Sequence, residues 1–327
     1  MNSFKLFAAL IVLAFAINSF AFAKGEEFRV LVSKGTVQVQ REGKGAWENL
    51  KTGSYLYSKD NLKLNSGAYL SLVHTKGRPV EVKKEGNYTV ANLAKDILNS
   101  KTKLSALFAN YVIDQISDAD AVLGSKGHKA NMETTGAVER SINTESLKDA
   151  DASMPFAGNT NTVKVKTPRK VTFTKSDITL QWFKVPNAKE YEFILTDRFD
   201  RPEFSKIVTD TSITLNSATL KLTKDSYYFW KVKVANRQEL RSEEACFVLL
   251  SDNKVAAIND TLKMLREELG NVETAPAKII MAGFYEQNNL LEDANSSFKD
   301  AIKLAPEIED YKRIYDDFLI RTYSARQ

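Results

Sequence analysis

The chain has 327 residues, of which 43% are hydrophobic and 27% are charged, and its formal net charge is +5. This composition is typical of a globular protein and excludes collagen-like, fully disordered and polytopic membrane proteins. The single cysteine, Cys246, excludes an intramolecular disulfide framework and a thiolate-cluster metal site. The length predicts two or three compact units, since domains usually hold about 100–200 residues.

The first 23 residues have the pattern of an export signal. Lys5 supplies the positive start, residues 6–17 form an unbroken apolar run, and Ala21-Phe22-Ala23 places small residues before a cleavage site. The apolar run is about a dozen residues long, whereas about 20 are needed to span a bilayer. We therefore expect cleavage after Ala23 and a periplasmic or secreted protein with no stable transmembrane segment.

Residues 24–90 alternate apolar and polar side chains and contain frequent glycine turns, which predicts short strands in an all-β roll. Their core and turn residues occur in the order Gly35-x-Val37-x-Val39, Trp47, Leu50, Gly53, Leu56, Asp60-x-Leu62, Ser66-x-Ala68-x-Leu70-x-Leu72, Gly77, Val80-x-Val82 and Val90. This order resembles the FecR-type domain, a periplasmic β-domain named after the ferric-citrate regulator. Signalling to a sigma factor is not expected, because we recognise neither an anti-sigma segment nor a spanning helix in the sequence.

The predicted β-domain is basic. Residues 28–90 contain eleven lysines and arginines against five acidic residues. Such a domain in the cell envelope would attract anionic polymers, lipopolysaccharide or phospholipid headgroups. The alternative is a solvated surface whose lysines prevent strand-edge pairing. Nucleic acid is not expected as a partner of an exported protein. The candidate ligand-binding residues, which we expect to form a basic face, are Lys63, Lys76, Arg78, Lys83 and Lys84.

Residues 91–123 are predicted to form amphipathic helices. One apolar stripe has helical spacing, and we expect it to pack on the chain's own β-domain; the alternative is a helix that docks to a partner. Residues 124–168 are polar and rich in small residues, which predicts a flexible linker. The stripe consists of Leu104, Leu107, Phe108, Tyr111, Val112 and Ile116.

Residues 169–251 contain seven predicted short strands, a spacing that favours a two-sheet β-sandwich. The interval from Leu222 to Tyr228 resembles the tyrosine corner of fibronectin type III domains, which mostly act as spacers or docking surfaces. Tyr227 and Phe229 fall on the opposite face of their strand and are the candidates for a ligand surface on this domain. The predicted core residues are Trp182, Tyr191, Leu222, Tyr228 and Trp230.

Residues 252–327 have helical periodicity and contain a motif with the spacing of the roughly 34-residue tetratricopeptide repeat. Small alanines let two helices approach closely, larger rings fill the gap between them, and Pro306 ends the second helix. Because about three repeats are usual for a stable array, this segment is either a small helical domain or a surface that a partner completes. The motif residues are Met281, Ala282, Tyr285, Ala294, Phe298, Ala301 and Pro306.

Catalytic templates are not recognised in the sequence. It has no Gly-x-Ser-x-Gly elbow, no phosphate-binding loop and no helix with paired histidines. Spacing alone leaves a paired-carboxylate glycosidase open, but a catalytic domain of the usual size does not fit among these segments. We therefore predict no enzymatic activity, no catalytic residues, no metal and no cofactor.

The fold class predicted from these segments is multidomain: an all-β roll plus helices, a β-sandwich and an all-α helical repeat. This order predicts a non-enzymatic envelope scaffold or adaptor that bridges envelope proteins or polymers through its helical repeat and β-domains. Two alternatives stay open. One is a peptidoglycan- or glycan-binding protein that uses the basic N-terminal domain, and the other, by the FecR resemblance alone, is a periplasmic regulator of a surface receptor.

Overall fold

The computed structural model describes residues 25–95, 97, 103–124 and 162–323, without the side chains of 117–124 and 323. Within those ranges the chain is a mixed, multidomain α/β structure with several β-sheets and six α-helices. No described helix is both long and apolar enough to cross a membrane. The predicted leader (residues 1–23) and most of the predicted linker (125–161) lie outside the described residues.

The first β-unit, residues 25–89, contains two antiparallel four-stranded sheets with the strand orders β4-β1-β6-β7 and β3-β2-β5-β8. Glycines with positive φ angles lie in its turns, including Gly67 and Gly77. The short helix α1 (Val90–Ala94) follows the last strand. The strands are β1 (Glu26–Lys34), β2 (Val37–Gln40), β3 (Glu48–Asn49), β4 (Tyr55–Tyr57), β5 (Asn61–Leu64), β6 (Tyr69–His74), β7 (Pro79–Val82) and β8 (Gly86–Thr89).

Strand β1 is buried on both faces, which its alternating sequence does not predict. Phe28 and Val30 face the core of the first β-unit, whereas Leu31 and Val32 belong to a second core that includes the helices. The register shifts between Val30 and Val32, which marks a bulge, and a bulge redirects the side chains of its strand. One sheet face that would otherwise meet water is therefore covered by helices.

The second β-unit, residues 162–250, consists of the two-stranded sheet β10-β13 and a larger sheet in the order β12-β11-β14-β16-β9, with β15 paired to β14. The pairs are antiparallel except for β16 with β9. The five predicted core residues are buried, with exposed fractions of 8% or less. The strands are β9 (Lys170–Phe173), β10 (Asp177–Gln181), β11 (Tyr191–Asp197), β12 (Pro202–Val208), β13 (Ser212–Asn216), β14 (Tyr227–Val234), β15 (Arg237–Arg241) and β16 (Ala245–Leu249).

Residues 162–168 belong to the second β-unit, so the prediction of a flexible linker as far as residue 168 is wrong for this part. Val165 forms a β-bridge with Trp182. The backbone N–H of Lys166 donates to the carbonyl of Gln181 at 2.8 Å. Backbone pairing of this kind leaves no apolar pattern in a short polar segment, which is why composition did not reveal it.

The helical unit follows the second β-unit directly. Gly270, with a φ of 71°, ends its first helix, and the Thr274 side chain caps the next by accepting from the N–H of Ala277. The alanines and rings of the repeat-like motif are buried, and Pro306 lies just after the third helix. The helices are α3 (Asp252–Leu269), α4 (Ala275–Gln287), α5 (Leu291–Leu304) and α6 (Glu309–Tyr323).

Helix α2 (Leu104–Gly124) packs mainly on the helical unit, not on the first β-unit as expected. The Phe108 ring meets Phe284 of α4 edge-on at 5.2 Å. Gly283 permits this approach, because a Cβ there would lie 3.0 Å from Val112 Cγ2 and 3.3 Å from the Phe108 carbonyl oxygen. Helix α2 also contacts β1 and β6. The helical unit is thus completed by a helix of the same chain.

Candidate functional site

A buried polar contact joins the first β-unit to helices α2 and α3. Glu268 accepts hydrogen bonds from the backbone N–H and the hydroxyl of Ser105, at 2.9 and 2.7 Å. The carboxylate therefore sits at the N-terminus of α2, where the helix dipole favours negative charge. Gly77, in the β6–β7 turn, touches both residues: a Cβ there would overlap Ser105 Oγ and lie 2.9 Å from Glu268 Oε2. This turn therefore docks only without a side chain at residue 77.

A second polar contact holds α2 against β1. Arg29 is only 8% exposed. Its guanidinium donates to Asn110 Oδ1 and Asp114 Oδ1, both at 2.8 Å, and lies 5.5 Å from the centre of the Tyr55 ring. The buried guanidinium needs such partners, since a buried polar group left without a hydrogen bond costs about 1–3 kcal/mol. These bonds fix the position of α2 on the strand.

A third contact connects strand β6 to helix α6 through two tyrosines. The hydroxyls of Tyr69 and Tyr311 lie 3.2 Å apart, and the Tyr69 hydroxyl donates to Glu81 Oε1 at 2.7 Å. Burial is the main reason that the pKa of each hydroxyl is raised well above its ordinary value, and the neighbouring Glu81 carboxylate adds to the effect. The folded protein therefore keeps both hydroxyls protonated.

The tyrosine pair predicts that stability falls at alkaline pH. An unfolded tyrosine ionises near pH 10, whereas Tyr69 and Tyr311 keep their protons in the fold. Above about pH 10 the unfolded chain then binds fewer protons, so unfolding becomes more favourable by up to about 1.4 kcal/mol per pH unit for each group. Urea titrations from about pH 8 to about pH 11 should show that the free energy of unfolding falls more steeply with pH for the wild type than for Tyr69→Phe/Tyr311→Phe.

The control for this change is Tyr57→Phe, at an exposed tyrosine of the same unit. Its free energy of unfolding should fall with pH as steeply as that of the wild type. Equal slopes for all three proteins would contradict this prediction.

The five basic residues predicted to form one face are divided between separate places. Lys76 and Arg78 lie in the β6–β7 turn, while Lys83 and Lys84 follow β7, about 16 Å away along the strand. Lys63 is on β5 in the other sheet, opposite Gln38 and Asn87. Arg78 is partly buried against the end of α3 near Gly270, and Lys83 Nζ lies 3.4 Å from the Glu81 carboxylate. The structure does not bring these five side chains together.

A different surface, on the second β-unit, combines exposed rings with cations. The larger sheet alternates buried core residues with a second set that is partly or fully exposed. The strand register places Phe229 opposite Cys246 and Tyr227 opposite Val248 on this side. We call this surface the outer sheet face, and its residues are Lys170, Thr172, Glu192, Ile194, Thr196, Ser205, Ile207, Tyr227, Phe229, Lys231, Lys233, Cys246 and Val248.

The charges of the outer sheet face are mainly positive. Lys170 Nζ lies 5.6 Å from the centre of the Tyr227 ring, and Lys231 pairs across the strands with Ile194. Within the described ranges neither lysine forms a salt bridge, whereas the nearby carboxylate of Glu192 is bound by Lys233 at 3.3 Å. Burial raises the pKa of the Cys246 thiol above its ordinary value, so this cysteine does not act as a ready nucleophile.

The turn between β11 and β12 places an exposed ring at one end of this face. Phe199 is 62% exposed, and the guanidinium carbons of Arg198 and Arg201 lie 4.7 and 5.3 Å from the centre of its ring. The Asp197 carboxylate accepts from the N–H groups of Phe199 and Arg201 at 2.8 and 3.0 Å. Its side-chain bond with Arg201 keeps the pKa of Asp197 below its ordinary value. Because Asp197 pairs with Tyr228, the turn lies beside Tyr227.

Sequence reasoning identified part of this surface. The alternation of side chains along a strand assigned Tyr227 and Phe229 to the outer side. In the structure Tyr227 is 43% exposed and Phe229 is half-buried. Ile207 and Phe199 were missed, although Ile207 is 58% exposed. An isolated isoleucine in an edge strand and a phenylalanine in a turn carry no periodic signal.

Within the described ranges, the buried His74 serves the fold of the first β-unit. No group of three His, Cys, Asp or Glu side chains there is arranged to bind a metal. The imidazole of His74 is buried, its Nε2 lies 3.1 Å from Glu27 Oε2, and its Nδ1 accepts from the N–H of Lys76 at 3.0 Å. Burial lowers the pKa of His74, which favours a neutral ring in the fold. His128, the second histidine of the sequence, lies outside the described residues.

Comparison with known proteins finds no family model and no curated protein that matches this chain.

Proposed function

We propose that this protein is a non-enzymatic, exported scaffold or adaptor of the cell envelope. The observation that supports this most is the joining of the first β-unit, α2 and the helical unit through three buried polar contacts, while the outer sheet face stays exposed. The second β-unit in turn contacts the helical unit, because the N–H of Thr172 in β9 donates to the carbonyl oxygen of Asn289 at 3.0 Å. Rigid placement of an exposed aromatic and basic surface serves binding.

The segments are proposed to be a FecR-type domain, a fibronectin type III-like domain and a tetratricopeptide-like helical pair. The fibronectin type III-like assignment is supported by Tyr228, whose hydroxyl accepts a hydrogen bond from the N–H of Thr223 at 2.7 Å, as in a tyrosine corner. Support for the third comes from Ala282, Ala294 and Ala301, each 0% exposed, where close helix approach requires small residues. A FecR-type assignment is supported by the short strands and the glycine turns of the first β-unit.

Glycan binding through the first β-unit is a weaker candidate. The exposed Lys63, Lys76, Lys83 and Lys84 favour contact with anionic polymers. Their division between separate places gives no continuous surface for a polymer strand. Arg78, packed against α3, is occupied by the fold.

Cell fractionation tests the proposed function. We expect the native protein in the periplasmic or secreted fraction, beginning at Lys24 when its mass is measured, and moving on native gels as part of a complex larger than the single chain. A variant lacking residues 2–23 is the control and should remain in the cytoplasm. An uncleaved cytoplasmic protein, or a periplasmic protein that is never found in a complex, would contradict the proposal.

A further inference from the structure

We infer that the outer sheet face, together with the Phe199 turn, is the docking site for an acidic protein segment. This inference rests on the proposed adaptor function and names the chemistry of its partner. The surface brings together exposed rings, aliphatic side chains and cations, and its Lys170 and Lys231 form no salt bridge within the described part of the chain.

The size of the surface suits a small and reversible interface. Five strands at about 4.8 Å spacing give a width of about 19 Å, and the four outward positions of β14 extend about 20 Å along it. These dimensions give about 400 Å² on this chain and about 800 Å² in total, which is smaller than a standard interface and fits only a weak, transient complex. A partner that covers it would be a short segment or one edge of a domain.

The side chains favour a protein as the occupant. Aromatic residues and arginine are enriched where binding energy concentrates in protein interfaces, and Phe199 and Tyr227 are the exposed rings here. Ile194, Ile207 and Val248 add aliphatic surface around them. Apolar side chains of a protein segment match such aliphatic groups, whereas a sugar chain uses mainly the rings.

Charge complementarity identifies the partner as acidic. Lys170, Lys231 and Arg198 form no salt bridge with any described residue, although two carboxylates lie on or beside the face: Glu192 is bound by Lys233, and Glu244 lies close enough to Cys246 to help raise the pKa of its thiol. Uncompensated cations around an apolar centre attract carboxylates and speed association, in a way that salt weakens. The partner therefore supplies aspartates or glutamates around an apolar or aromatic side chain.

The neighbouring sheet edge directs the partner onto the face. Strand β12 pairs only with β11 among the described strands. Pro202 removes one backbone donor from it and Lys206 adds a charge, both of which discourage the addition of another strand. Asp197 fixes the Phe199 turn through three hydrogen bonds, so less ordering is required when a partner binds.

Binding of the full-length mature protein to a glutamate–tyrosine copolymer tests the inference. We expect Lys170→Glu/Lys231→Glu to weaken this binding at least about tenfold, and Phe199→Ser to weaken it about tenfold, because aromatic rings often carry much of the binding energy in protein interfaces. The matched control is Lys184→Glu/Lys221→Glu, which makes the same charge change at exposed lysines away from the face. Melting temperatures of the variants should stay close to that of the wild type, since none of these side chains is buried.

The opposing outcomes are distinct. An equal loss of copolymer binding in Lys184→Glu/Lys221→Glu would show general attraction between charges and would overturn the inference. Binding to polygalacturonate or to phosphatidylglycerol vesicles, without binding to the copolymer, would also overturn it, because these results identify an acidic glycan or a membrane as the partner. If the native complex survives Lys170→Glu/Lys231→Glu, this site is wrong while the adaptor function stands. If the wild type never enters a complex, the adaptor function itself fails.

Discussion

Replacing Gly77 with alanine is expected to separate the first β-unit from the helices. The glycine has a φ of +99°, and a Cβ there would overlap Ser105 Oγ and crowd Glu268 Oε2. The backbone strain costs about 1–3 kcal/mol, and displacement of the buried Ser105–Glu268 bonds costs about 1–3 kcal/mol more. We expect the free energy of unfolding to fall by about 3–5 kcal/mol, and the β6–β7 turn to become open to protease.

The matched control for this change is Gly67→Ala in the same unit. Gly67 has a φ of +73°, but a Cβ at this position would have no heavy atom within 4 Å, so the substitution introduces the strain without the clash. Denaturant titration and limited proteolysis of both variants separate the two contributions. If Gly67→Ala destabilised the protein as much as Gly77→Ala, the docking role of Gly77 would be wrong.

A valine at residue 283 is expected to displace helix α2 from α4. Even the first carbon of a side chain there would lie 3.0 Å from Val112 Cγ2 and 3.3 Å from the Phe108 carbonyl oxygen, and valine adds two methyl groups beyond it. Overpacking of a buried contact typically costs about 1–3 kcal/mol, and loss of the α2 contacts would add to this. We expect a loss of about 3 kcal/mol and faster hydrogen exchange in residues 104–116.

Ala257→Val is the control for the β-branched side chain. Ala257 is exposed on α3, so the substitution there costs only helix propensity, about 0.5 kcal/mol. The loss of stability in Gly283→Ala should lie between the losses in Gly283→Val and Ala257→Val, because the better helix propensity of alanine offsets part of its crowding. Unchanged hydrogen exchange in residues 104–116 of Gly283→Val would contradict the close packing of α2 on α4.

The local elements were largely predictable from the sequence, and their neighbours were not. Helical spacing predicted a helix from Leu104 to Ile116, which the structure extends to Gly124. An apolar stripe states which side of a helix is buried but not what covers it, so the helices more than 130 residues later in the chain were not anticipated. Strand β15 was missed because Arg237–Arg241 is mostly polar.

The polar contacts that join the units carry no local signal either. Ser105 and Glu268 are 163 residues apart in sequence, and each alone is an ordinary surface residue type. Gly77 resembles any other turn glycine until its neighbours are known. For the candidate surface, period two identified Tyr227 and Phe229, because alternation reports the face of a strand directly. The Phe199 turn depends on the Asp197 bonds, which only the fold reveals.

The contact between Tyr69 and Tyr311 can form only after nearly the whole chain has been synthesised. Tyr69 leaves the ribosome 242 residues before Tyr311, which at roughly 5–20 residues per second is on the order of 10–50 s. Throughout that interval Leu31 and Val32, whose final neighbours include the late helices, have no native cover. Nascent chains with exposed apolar strands are prone to aggregate, so a holding chaperone would have most to protect in the earliest strand of this polypeptide.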